Sequence, residues 1–258
     1  MKIMYIASII LFLLTGCKKE NDKDIIPLKQ NSPESIVEET TTSVEKLINP
    51  EGMIIAERYF PPKGFERVQV SENSFGEFLR NQNLKSYGEK VLYYDGREKN
   101  KKGVYDSVFD VDIGGRDLHQ CADAIMLLRA EYLYSQELYD KIHFNFVSGF
   151  KAEYSKWMEG YRIKIDGNNV SYYKATDPTN SYESFRKYMD MVFAYSGTLS
   201  LDKELESAKV EEMSIGDVFI IGGSPGHAVI VVDMAEKNLY ACSVIYACTT
   251  NPTFNKPK

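Results

Sequence analysis

No extended basic stripe runs along this chain. Its 31 Lys and Arg are outnumbered by 37 Asp and Glu, and the net charge is −6. With no basic stripe on which a phosphate backbone could lie, nucleic acid is not an expected partner. Histidine is scarce, with His119, His143 and His227 the only three. His119, Cys121 and His227 could be grouped as metal ligands only without any ligand-spacing motif, so no metal is expected. The one glycine-rich run, Gly222-Gly-Ser-Pro-Gly226, lacks the Lys-Ser/Thr ending of a phosphate loop and leads into a strand, which leaves no nucleotide cofactor to expect. There is no internal repeat. The apolar run at residues 3–14 is too short to cross a bilayer, which takes about 20 residues.

That run has another reading. Met1-Lys2 supplies a short positive end, and the run stops at Leu14-Thr15-Gly16-Cys17. The pattern resembles a bacterial lipobox, with two small residues ahead of a cysteine. The resemblance implies a signal peptide over residues 1–16, cleavage before Cys17, diacylglycerol on its thiol and a further acyl chain such as palmitate on the new amine. Several chains make a stable anchor where one is marginal. Lys18 follows rather than aspartate, so the expected location is the cell envelope, on the outer membrane. Residues 17–50 are then the lipidated end and a tether, polar and broken by Pro27 and Pro33, with too little apolar material for a core. Residues 51–258 form one domain, long enough for a single core.

Once Cys17 is acylated, Cys121, Cys242 and Cys248 remain, so at least one thiol is free. Cys242 and Cys248 on one straight strand would stand about 20 Å apart, too far to be bridged.

Within the domain, residues 51–70 read as strand, loop, strand. A short helix follows a Ser74 cap, and residues 91–94 and 104–113 read as strands. After Gly114-Gly115 comes a strong helix, with Asp117 and Gln120 spaced as a capping box. Cys121, Ala124, Ile125, Leu128 and Tyr132 recur on one face of it. A hairpin is expected at Asp166-Gly167, and an amphipathic helix over residues 182–195. Residues 217–221 and 227–233 make a β-hairpin, and residues 239–246 would add a third strand. The order predicts an α+β fold, a central helix packed on a C-terminal antiparallel sheet.

Cys121 and His227 are the candidate catalytic pair. Cys121 falls in the first turn of the strong helix, where unpaired N–H groups favour a thiolate and would lower its pKa from about 8.5. His227 opens a core strand. A thiol at a helix start against an antiparallel sheet that carries a histidine is the papain-like layout of cysteine hydrolases. It resembles the cell-wall peptidase branch of NlpC/P60 type. Cys121 would be the nucleophile and His227 the general base, and a backbone N–H would hold the oxyanion. The expected substrate is a peptide or peptidoglycan amide. Asp233 is six residues from His227, about 20 Å along a strand, so the group orienting the imidazole should come from residues 241–246, which offer Ser243 and Tyr246. The rival reading is a non-catalytic envelope lipoprotein that binds a protein, peptide or glycan, with Cys121 and His227 merely structural. His119 and His143 read as surface or structural residues.

Four blocks carry a family resemblance: Arg116-Asp-Leu-His-Gln-Cys-Ala-Asp-Ala, Tyr154-Ser-Lys-Trp-Met-Glu-Gly-Tyr-Arg, Phe185-Arg-Lys-Tyr-Met-Asp-Met-Val-Phe and Gly216-Asp-Val-Phe-Ile-Ile-Gly-Gly-Ser-Pro-Gly-His-Ala-Val-Ile-Val-Val-Asp. They resemble the domain of unknown function 4846, over about residues 51–240. The resemblance implies bacterial chains, often lipoproteins, and supplies no activity. From Cys242 the chain departs from that pattern, which reads Ala-Gln-Ser-Tyr-Met-Pro-Ala-Gln here. Back-translating from Cys242 as TGC TCA GTC ATA TAT GCC TGC and reading one base on restores Ala-Gln-Ser-Tyr-Met-Pro. The expectation is a frameshift near Tyr240 that rewrites about the last 18 residues. Sequencing the locus tests it.

Overall fold

A computed structural model describes residues 2–5, 47–99, 105–237 and 241–247, with only backbone pairing for the first and last of these stretches. Cys17, the tether up to residue 46 and Cys248 lie outside the described residues, as does most of the expected leader.

In chain order the elements are β1 (Lys2–Tyr5), α1 (Ile55–Arg58), β2 (Glu66–Arg67), α2 (Phe75–Arg80), α3 (Cys121–Ser135), β3 (His143–Asn145), β4 (Lys151–Glu153) and α4 (Tyr154–Met158). They continue as β5 (Tyr161–Asp166), β6 (Asn169–Lys174), α5 (Tyr182–Tyr195), α6 (Thr198–Glu204), β7 (Glu206–Ser207), β8 (Val218–Ile221), β9 (His227–Lys237) and β10 (Ala241–Ala247). The architecture is α+β. The main sheet runs β10-β9-β8-β1-β7, and β2 also pairs with β9. β8, β9 and β10 are antiparallel, as the hairpin pattern predicts. β1 was not expected in the sheet: it pairs in parallel with β8 and β7, although its residues belong to the expected leader. Two separate hairpins, β3-β4 and β5-β6, complete the strands.

The antiparallel sheet follows from alternation along β9. Ala228, Ile230 and Val232 join Val218 and Ile220 in the main core with α3 and α5. Val231 and Met234 face a second cluster with Val68, Met213 and Phe219. A strand buried on both faces reads as a nearly unbroken apolar run, which is what Ala-Val-Ile-Val-Val supplies.

Helix α3 lies at the centre. Besides the expected stripe it buries Ala122, Met126, Leu127 and Ala130, because other elements pack around it. A helix that is apolar nearly all round is a buried one. Tyr132, placed on the stripe by periodicity, is only partly buried and donates its hydroxyl to the Asn73 carbonyl at 2.9 Å. The cap also differs from expectation. Gln120 is the N-cap, and the Asp123 carboxylate accepts its backbone N–H at 2.9 Å, so the helix starts one turn later than Asp117 suggests. α5 matches the sequence reading residue for residue, burying Phe185, Tyr188, Met189, Val192 and Phe193. Ser181 caps it, accepting the Ser184 N–H.

Of the four strands expected ahead of α3, only the second in residues 51–70 forms, as the two-residue β2, and the single turn α1 takes the place of the first. Residues 91–94 and 105–113 contribute only isolated bridges, Leu92 to Glu98 and Leu84 to Phe109. Arg58, fully buried, holds this irregular region. Its guanidinium donates to the carbonyls of Gly52 at 2.7 Å and Lys85 at 3.0 Å and to the Ser107 hydroxyl at 2.8 Å. A side chain thus supplies the cross-links that a strand ladder would otherwise provide.

Gly160 turns the chain from α4 into β5. Its φ is +89°, and a Cβ there would meet the Thr176 carbonyl oxygen at 2.1 Å. Gly160→Ala is expected to cost at least about 2 kcal/mol and to lower Tm by about 4–8 °C. Thermal denaturation followed by circular dichroism checks it, and an unchanged Tm contradicts it.

Candidate active site and the adjoining cleft

Cys121 is the first residue of α3 and is 9% exposed. The backbone N–H of Ala228, the residue after His227, comes within electrostatic reach of its thiol, as α3 packs on β9. No hydrogen bond joins thiol and imidazole. His227 is half-buried, stands opposite Ile221 in the β8–β9 ladder, and has a buried Nδ1 with no partner.

Electrostatics here differ from expectation. Burial pushes the Cys121 thiol up, and the N–H groups of Ala228 and Ala122 offset this only in part. Burial pushes the His227 imidazole down. Both costs fall on the charged form, so burial favours the neutral thiol of Cys121 and the neutral imidazole of His227. The lowered thiol pKa expected from the helix start is corrected: desolvation outweighs the helix N-terminus.

The orienting group also needs correction. In the β9–β10 register Ser243 stands opposite Ala235 and Tyr246 opposite Val231, so neither is paired with His227. Asp233 is occupied elsewhere, ion-paired with Arg80 at 2.7 Å and Arg67 at 3.2 Å. What does pack against the turn before His227 is α6, which the sequence reading missed. Thr198 donates its hydroxyl to the Gly223 carbonyl at 3.1 Å, and a Cβ on Gly226 would meet that hydroxyl oxygen at 2.1 Å. The glycine-rich run is there to let a helix approach, not to hold a phosphate. Asp202 of α6 comes against Gly222, with one carboxylate oxygen buried and unpartnered. Thr198 and Ser200 after Gly197 were the only sign of this helix in the sequence.

A cleft of about 400 Å³ opens along α3. Ala124, Leu127, Leu128 and Glu131 form one side of it, residues 91–94 and 108–113 the other, and Tyr182 and Arg186 of α5 line it too. Neither Cys121 nor His227 lines it. Its walls are mostly irregular segments with no periodicity, so nothing in the sequence announced it. Glu131 accepts from the Tyr182 hydroxyl at 2.7 Å and from Arg186 at 3.3 Å, and Arg186 also donates to the Asp112 carbonyl at 2.8 Å.

His119 lines this cleft. Its ring stands edge-on to Phe193 at 4.8 Å, its Nε2 is buried without a partner, and burial, helped by Arg186, lowers its pKa to about 4. His143, by contrast, is exposed at the start of β3. An unfolded histidine takes up its proton below about 6.5, so between 6.5 and 4 the unfolded chain binds more protons than the folded one. Stability therefore falls as pH falls through that window, by about 2–3 kcal/mol after allowance for partial exposure. Asp123, pushed up to about 7 by burial, acts in the opposite sense, gaining stability as pH falls, and does so in any His119 variant. Going from pH 6.5 to 4.5, the urea midpoint should shift further toward higher urea in His119→Gln than in the unaltered chain, because the opposing His119 contribution is gone. Equal shifts would contradict a neutral His119.

Among the described residues, no group of three or more His, Cys, Asp or Glu side chains could hold a metal ion, and no helix is long and apolar enough to cross a membrane.

A central helix with a cysteine at its start, packed on an antiparallel sheet that brings in a histidine, defines an α+β domain with a candidate thiol site. The chain belongs to the family described as domain of unknown function (4846), whose model matches residues 55–253. The match runs past Tyr240, where the resemblance read from the sequence stops. No curated protein and no solved structure matches the chain.

Proposed function

We propose that this chain is a lipid-anchored envelope protein whose domain is a papain-like cysteine hydrolase of peptide or amide bonds. One observation carries the reading: Cys121 starts a 15-residue helix that packs on β9, the strand that His227 opens, and the His227 Nδ1 has no partner. In the reaction the imidazole takes the thiol proton as sulfur adds to the carbonyl carbon. The N–H groups of the first α3 turn, which have no intrahelical acceptor, face the developing oxyanion. The same proton then goes to the departing amine, leaving a thioester that water hydrolyses. A neutral resting pair suits this order, because proton transfer accompanies attack.

Peptide and peptidoglycan amides are the substrates this chemistry would serve in an envelope. The test is hydrolysis of a panel of fluorogenic peptidyl amides by the full chain. Turnover that vanishes in Cys121→Ala supports the reading, and turnover that survives it rules Cys121 out as the nucleophile.

A second reading has its own support. The cleft along α3 is lined by neither Cys121 nor His227, and the thiol rests protonated. On that reading the domain binds a peptide, protein or glycan without chemistry, and all panel substrates stay intact.

The anchor rests on Leu14-Thr15-Gly16-Cys17. Cleavage before Cys17 would remove β1 and leave β8 and β7 without the strand between them. Intact mass of the protein purified from membranes is expected to begin at an acylated Cys17. A chain that begins at Met1 would contradict the anchor.

A further inference from the structure

We infer that the cleft along α3 is a peptide-binding subsite that selects a bulky apolar or aromatic side chain next to the bond presented to Cys121. The inference rests on the hydrolase reading for the role of Cys121, and on the cleft itself for the ligand. Ala124, Leu128, Glu131 and Ser135 line the cleft, spaced by three or four residues along α3, so they share one helix face. Cys121 is the next position back on that face. From Cys121 to Ser135 the helix rises about 20 Å, the span of about six extended residues. A peptide lying in the cleft along α3 therefore leads to the thiol.

The lining sets the chemistry. Phe78, Val108, Phe109, Leu127 and Leu128 give it an apolar lining, and Tyr93 and Tyr94 contribute aromatic rings. The strongest charges within it neutralise each other, Arg186 against Glu131 at 3.3 Å. Two rim cations are also engaged, Lys90 by Glu98 at 2.7 Å and Arg116 by Asp190 at 3.9 Å. Lys85, Lys99, Asp110, Asp112 and Asp117 also line the cleft, so the apolar and aromatic side chains form a patch within a charged rim, and that patch asks for apolar bulk. His119 also lines the cleft, but its unpartnered Nε2 is buried. The volume of about 400 Å³ falls within the range of small-ligand sites. The small, acidic and amino-bearing stem peptides of a cell wall fit this lining poorly, so the substrate class narrows to peptides with large apolar residues.

The experiment uses the full chain carrying Cys121→Ala and two dansyl-labelled, end-blocked tetrapeptides, one with Phe-Leu at its centre and one with Ala-Asp. Dansyl fluorescence anisotropy reads the affinity. Burying large apolar side chains predicts at least about tenfold tighter binding of the Phe-Leu probe. Leu92→Asp is the variant of choice, because Leu92 lines the cleft yet is 40% exposed and can be changed without opening the core. It should weaken Phe-Leu binding about tenfold or more while leaving the far-ultraviolet dichroism unchanged. Equal affinity for the two probes, or no effect of Leu92→Asp, overturns the inference. The two readings separate cleanly: Phe-Leu binding lost in Leu92→Asp, but no hydrolysis by the unaltered chain, sinks the hydrolase and keeps the subsite. Hydrolysis of both probes at equal rates does the reverse.

Discussion

Replacing Asp233 by alanine is expected to destabilise the domain by about 3–5 kcal/mol, the cost of breaking a buried ion pair from one side. Asp233 is 1% exposed. One of its oxygens accepts the Arg80 Nε at 2.8 Å and the backbone N–H of Met234 at 2.9 Å. The other faces Arg67 at 3.2 Å as an ion pair without hydrogen-bond alignment. Arg80 comes from α2 and Arg67 from β2, so a single carboxylate in β9 ties both elements to the sheet. Without it, two guanidinium groups with little exposure are left facing each other with no anion between them. Asp233→Asn should do less harm, since the amide oxygen still accepts from Arg80. Urea denaturation of both variants decides this: a midpoint for Asp233→Ala within error of the unaltered chain would contradict the clamp.

The second large effect follows from the proposed hydrolase reading. His227→Ala is expected to slow amide hydrolysis by about 10²–10⁴-fold, the usual range for a positioned general base. The sign of the pH dependence follows from burial. His227 must be unprotonated to accept the thiol proton, and its pKa is lowered from 6.5. Activity is therefore present above that depressed value and lost as pH falls through it, so the acid limb of the kcat/KM profile should lie below pH 6.5 and disappear in His227→Ala. Steady-state kinetics from pH 4.5 to 8.5 read both effects. An acid limb that persists in the variant assigns it to another group.

How much of this was legible in the residues differs from element to element. α5 was readable because Phe185, Tyr188, Met189, Val192 and Phe193 repeat at helical spacing behind a Ser181 cap. The β8–β9 hairpin was readable because two apolar runs flank a glycine-rich turn. The packing of α3 on β9 was legible too, since a helix start and a strand start are both marked in the sequence. Three things were hidden. α6 is seven residues long, and too few apolar positions recur in it to show a period. Residues 91–94 and 105–113 alternate like strand, yet the chain near them is cross-linked by Arg58 through Lys85 and Ser107, a long-range contact that leaves no local trace. The balance that raises the thiol pKa is hidden for a similar reason: a helix start is visible in a sequence, but the depth at which the thiol is buried is set by the elements packed over it. Asp233 shows both sides. Its distance from His227 along the strand correctly excluded it as the orienting group, while its arginine partners, far away in sequence, gave no sign.

The most direct test of the central claim is the rate of Cys121 alkylation by iodoacetamide in the folded full chain from pH 5 to 9, with Cys242 and Cys248 replaced by serine and with or without His227→Ala. A thiol assisted by His227 is expected to label measurably at pH 7 and about tenfold or more slower in the variant, with the variant gaining reactivity only at alkaline pH because burial holds its thiol protonated. Identical rates and pH profiles in the two proteins would show that the imidazole does not act on the thiol, and the hydrolase reading would give way to the binding one.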